Sequence, residues 1–127
     1  MVVLALKVKN ICESFKSVFI LFVLDTDGKK KVMVVGTLGG FYTTTTELFD
    51  GDSWTTTTET PISMAYVKAV AYKGKVTVTG REANGYTDPL EQAWVFDIAT
   101  KTWSAGFSMS PPIAYHNSFL VPKSYCN

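Results

Sequence analysis

The chain carries almost no charge of either sign in excess. Twelve Lys and Arg face eleven Asp and Glu, leaving a formal net charge of +1. That removes the electrostatic basis for binding nucleic acid or an anionic membrane. The one basic run, Lys29-Lys30-Lys31, sits beside Asp25, Asp27 and Gly28 and reads as a solvated turn. Cysteine is scarce. Cys12 and Cys126 lie near opposite ends and form no C-x-x-C pair. A disulfide between them stays open, and two unrelated thiols is the favoured reading. With His116 as the only histidine, neither a zinc nor a copper site is expected, and no cofactor.

Long apolar runs are also missing. Val18 to Leu24 spans seven residues, far short of the ~20 that a transmembrane helix needs. Met1 to Leu6 is apolar but is followed by Lys7, Lys9 and Asn10, the wrong order for a secretory leader. Asn10, Asn84 and Asn117 each lack Ser or Thr two positions on, so none of them heads a glycosylation sequon. The compartment stays open, with the cytoplasm favoured. Catalytic motifs are absent too. There is no G-x-S-x-G, and Gly36-Thr37-Leu38-Gly39-Gly40 lacks the Lys-Ser/Thr ending and helix of a phosphate loop. Asp50 and Asp52 flank Gly51, which marks a turn and not a paired acid and base. No catalytic residue is expected, and the chain does not read as an enzyme.

What the sequence does have is a repeat. Lys31-Val32-Met33-Val34-Val35-Gly36 and Lys75-Val76-Thr77-Val78-Thr79-Gly80 share K-V-x-V-x-G, 44 residues apart. Phe49-Asp50 and Phe96-Asp97 match at a spacing of 47, and Trp54 and Trp103 at 49. Prolines follow each Trp, at Pro61 and at Pro111-Pro112. Each period reads as four strands. In the first, strands run over Ser17–Leu24, Lys31–Gly36, Glu47–Phe49 and onward from Trp54. In the second, they run over Ala65–Tyr72, Lys75–Thr79, Gln92–Phe96 and onward from Trp103. Asp25 to Gly28 and Lys73-Gly74 supply the hairpin turns. Ala93-Trp94-Val95-Phe96 is apolar on both faces, as for a sheet packed between two others. The threonine runs Thr43–Thr46 and Thr55–Thr58 read as extended edge or loop segments. Only Met1 to Lys16 has any helical periodicity. With 46% hydrophobic residues the chain can build a core, and the expected class is all-β.

These matched positions resemble the kelch motif of β-propeller proteins. The resemblance covers Ser17 to Trp103 and rests on a hairpin ending in glycine, an aromatic-Asp pair, and a Trp about six residues further on. Asp97 to Trp103 has that spacing, and Asp50 to Trp54 is two residues shorter. The family's double glycine is reduced to Gly36-Thr37 and Gly80-Arg81. The resemblance implies a partial propeller of about two four-stranded blades and part of a third. The segments are residues 1–16 (unassigned), 17–60 (repeat one), 61–110 (repeat two) and 111–127 (the start of a third), whose first strand would be Tyr115–Val121. Gly36, Asp50, Trp54, Gly80, Asp97 and Trp103 would then carry structure: glycine at strand ends, Asp accepting from the turn after it, Trp between blades.

Propellers have four to eight blades, so two and a fraction imply a piece of a larger ring, or self-association to complete one. Function would reside on loops, with another protein as partner. Tyr42, Arg81, Tyr86, Tyr115 and His116 are residue types that anchor interfaces and fall on the expected loops. Scaffolding, ubiquitin-ligase substrate capture and actin association are the roles the resemblance implies. A fragment of a kelch-type oxidase or sugar isomerase, or a secreted kelch-like protein, is the alternative.

Overall fold

A computed structural model of the chain describes residues 18–25, 30–37, 44–64, 67–80, 91–113 and 116–125, with side chains from residue 31 onward except 36 and 37. Met1 to Lys16, both cysteines, most of the first hairpin turn, Gly39-Gly40, Tyr42, the Arg81–Leu90 loop and Tyr115 lie outside the described residues.

Two four-stranded antiparallel sheets account for the fold. Sheet 1 contains β1 (Val18–Asp25), β2 (Lys30–Thr37), β3 (Thr46–Phe49) and β4 (Trp54–Thr56). Sheet 2 contains β5 (Lys68–Tyr72), β6 (Lys75–Thr79), β7 (Gln92–Asp97) and β8 (Thr102–Ser108). Within each sheet the strands lie in chain order, each hydrogen-bonded to the next. A short 3-10 turn, Lys123–Tyr125, is the one helical element among the described residues.

Local chemistry explains the turns. Between β5 and β6 the two-residue turn Lys73-Gly74 has φ of 46° and 74°, the doubly positive geometry that matches the twist of a tight hairpin. After β3, Asp50 Oδ1 accepts from the backbone N–H of Asp52 and of Ser53, both at 3.0 Å, while Gly51 sits at φ 115°. After β7, Asp97 Oδ1 accepts from Ala99 N–H at 3.0 Å and Thr100 N–H at 3.1 Å. The two aspartates thus hold equivalent turns. The aromatic pairs repeat as well. Phe49 and Trp54 face each other across β3 and β4 with centroids 5.1 Å apart, as do Phe96 and Trp103 across β7 and β8. The threonine runs extend the ladder of sheet 1: Thr57 N–H donates to Thr46 O and Thr60 N–H to Thr44 O.

Strand register sorts the side chains into faces. Ala69, Ala71, Val76, Val78, Trp94, Phe96 and Trp103 share one face of sheet 2. They pack against Met33, Val35 and Leu48 of sheet 1, with Ile62, Met64 and Val67 from the connection and Ile98 from the β7–β8 turn. Met33, Val76 and Phe96 are fully buried. In the K-V-x-V-x-G alignment, Val76 and Val78 correspond to Val32 and Val34, whereas Met33 and Val35 correspond to Thr77 and Thr79. The two sheets therefore join front to back, through faces that are not equivalent. The main strand-to-strand approach between them is β1 to β5, the first strand of each. Trp103 lies at this seam and donates its indole N–H to Thr58 O at 3.3 Å, while the Thr58 hydroxyl donates to Lys101 O. Trp54 lies on the face of sheet 1 that carries Val32 and Phe49.

Three expectations change. The strand from Ala65 begins at Lys68, because Met64 and Val67 are drawn into the core as plugs. Sheet 2 is not covered on both sides by described residues: Phe96 on the core face is fully buried, but Tyr72 and Phe107 on its other flank are 59% and 58% exposed. Finally, the described residues of Tyr115–Val121, from His116 on, form no strand. They pair with no strand edge and use side chains to rest on sheet 2 instead.

Candidate functional site

The site forms where β6 ends. Alternation along β6 places Thr77 and Thr79 on the flank of sheet 2 away from the core, together with Lys68, Val70 and Tyr72 of β5. Gly80 follows at φ +71°, a left-handed conformation that glycine adopts without steric cost. It turns the chain out of the strand and leaves space for another side chain. His116 fills that space. A Cβ built on Gly80 would lie 2.0 Å from His116 Cε1 and 2.5 Å from Nδ1, so any side chain here would evict the imidazole.

Three polar side chains converge. His116 Nε2 lies 2.8 Å from Thr79 Oγ1, and Ser118 Oγ lies 3.2 Å from the same hydroxyl. Thr79 is buried, and one donor with two lone pairs lets its hydroxyl serve both neighbours. Nδ1 of His116 is shielded from solvent and has no hydrogen-bond partner among the described residues. Burial holds the imidazole pKa below its ordinary 6.5, and the Lys68 charge adds to that shift. The ring is therefore neutral near pH 7.

Beside this cluster runs a groove of about 410 Å³ lined by Val70, Tyr72, Thr77, Thr79, Phe107, Ser118, Phe119 and Leu120. Its walls are mostly apolar, and Phe119 is 78% exposed. Such a surface can take an apolar side chain, with the Thr79 and Ser118 hydroxyls as its polar contacts. No three His, Cys, Asp or Glu side chains converge as metal ligands among the described residues.

Of the residues that sequence pointed to, His116 is in this cluster. Tyr42, Arg81, Tyr86 and Tyr115 lie outside the described residues. Gly36 is in β2, and Asp50, Trp54, Asp97 and Trp103 occupy turns and aromatic pairs away from the groove. Gly80 alone joins both groups, since it ends a repeat hairpin and seats the histidine. Thr79, Ser118 and Phe107 were missed. Thr79 carried a faint signal, as a hydroxyl at a position where the first repeat has Val35.

No family model matches the sequence. No curated protein matches it either.

Proposed function

We propose that the chain is a protein-binding module of the kelch-repeat propeller type, a segment of a larger ring that meets its partners through loops and through the open flank of sheet 2. The observation that carries this reading is the front-to-back union of two four-stranded units, each with the same Asp-held turn and aromatic pair. Two sheets related by a twofold axis would meet through equivalent faces. Units repeated around a ring meet through opposite ones, and each addition leaves a receiving face free. The flank bearing Val70, Thr77 and Thr79 corresponds to the face by which sheet 1 receives sheet 2.

On this reading a third unit belongs on that flank, from a longer chain or from a second copy. Tyr42, Arg81, Tyr86 and Tyr115 are then loop anchors for a protein partner. Sedimentation of the isolated chain tests the proposal. Association above the 14.0 kDa monomer, rising with concentration, is the expected outcome. A monomer at every concentration, with one cooperative melt, contradicts it.

A further inference from the structure

We propose that the segment from His116 to Leu120 is a pH-sensitive strap: it lies on sheet 2 while His116 is neutral and lifts when the imidazole takes up a proton. This inference stands apart from the kelch reading and needs only the geometry of the clasp.

The segment makes no strand ladder. Among the described residues, its polar attachment to the sheet is the pair of bonds that His116 and Ser118 make with Thr79. Beyond it Phe119 and Leu120 line the groove yet stay largely exposed, so they add little apolar burial. The His116 ring is the part that fits closely, seated where Gly80 has no side chain. In the neutral ring one nitrogen shares a proton with Thr79, and the shielded Nδ1 costs one unmet hydrogen bond. Protonation turns both nitrogens into donors. Nδ1 would then carry a charged N–H, shielded from water and without an acceptor among the described residues, which is far more costly.

Among the described residues, none at the ring offsets that charge. On β5, Lys68 pairs in register with Thr79 and acts on the ring with the wrong sign. On β6 the residues at the ring are Thr79 and Gly80; Ser118 of the tail shares the Thr79 hydroxyl, and the Ile113 carbonyl closes the same space beside Gly80, none of them charged. The lifted ring meets no such penalty. The lifted state therefore binds the proton more readily, and docking strengthens as pH rises. The docked form is fully favoured above 6.5, the ordinary value for histidine. Below it, the docking constant falls by about tenfold per pH unit until the docked ring itself titrates. Lifting would uncover Thr79, which is buried while the segment is docked.

A single histidine makes proton NMR decisive. The His116 Cε1 proton is the only one of its kind, and its Overhauser contact with the Gly80 α-protons reports docking. Over a titration from pH 8 to pH 5, the expected midpoint lies below 6.5. The contact should fade on the acid side while the methyl signals of Val76 and Val78 stay in place. Thr79→Val, which removes the clasping hydroxyl, should weaken the contact at pH 8 and move the midpoint towards 6.5. His116→Gln should abolish the pH dependence of the Ser118 amide signal. A midpoint at or above 6.5 overturns the strap. So does a contact that persists unchanged to pH 5, or core methyl signals lost together with it.

Discussion

At Lys73 and Gly74 the chain reverses with both φ angles positive, and the two residues do not tolerate this equally. Glycine is at ease there, whereas lysine is strained by about 1 kcal/mol. Gly74→Ala should lower stability by about 1 kcal/mol in urea unfolding, and Lys73→Asn should raise it by a few tenths, because Asn suits the left-handed region. The turn aspartates have a pH signature. Backbone N–H bonds hold both carboxyls below their ordinary 3.8: Asp50 through Ser53 then Asp52, Asp97 first through Thr100. Lys75 adds to the Asp97 shift across the strands, with its Nζ 3.4 Å from the carboxylate, in a pair that solvent screens. A carboxyl with a depressed folded pKa stabilises the fold above its unfolded value. That contribution is lost as pH falls below 3.8. Asp97→Asn keeps a carbonyl acceptor but no charge. Its stability relative to the parent should recover as pH falls from 5 to 3, seen as converging melting curves.

At the scale of elements, Trp103 decides how the second sheet meets the first. Its ring packs on Phe96 at 5.1 Å and against the shared core, and its N–H reaches Thr58 in the connecting segment. Trp103→Phe keeps most of the apolar body and loses the hydrogen bond, so about 1 kcal/mol should go. Trp103→Ala removes the body and should cost about 3 kcal/mol. If both variants melt alike, the ring is not packed at the seam. The strand pattern of both sheets was legible in the sequence because period-2 alternation and turn residues are local signals. The segment from His116 was not, since Phe119-Leu120-Val121 has the composition of a strand. Its described residues pair with no strand, and composition does not record which segments find a pairing partner.

For the whole molecule, the open flank of sheet 2 is the feature with consequences. Tyr72, Phe107, Phe119 and Leu120 form an apolar surface of the sort that marks an interface. Val70→Asp places a charge on this flank, facing away from the shared core. It should abolish the concentration-dependent association while moving the melting temperature of the monomer by no more than a few degrees. Association that survives the substitution would assign the contact to another face. Little of the candidate site was legible in advance. His116 was marked as an interface residue type, but its partners Thr79 and Gly80 are more than 35 positions away in the chain, and no local pattern joins them.

The sequence by itself determined that the chain is all-β, that it repeats a four-strand unit, and where its Asp-held turns fall. Those features arise from contacts between near neighbours, and near neighbours are written side by side. Only the tertiary structure decided that the sheets join front to back, that Trp103 takes the seam, and that His116 rests in the space Gly80 leaves. These choices depend on which faces exclude water together and on which backbone positions have room, and both are set by segments that meet only after folding.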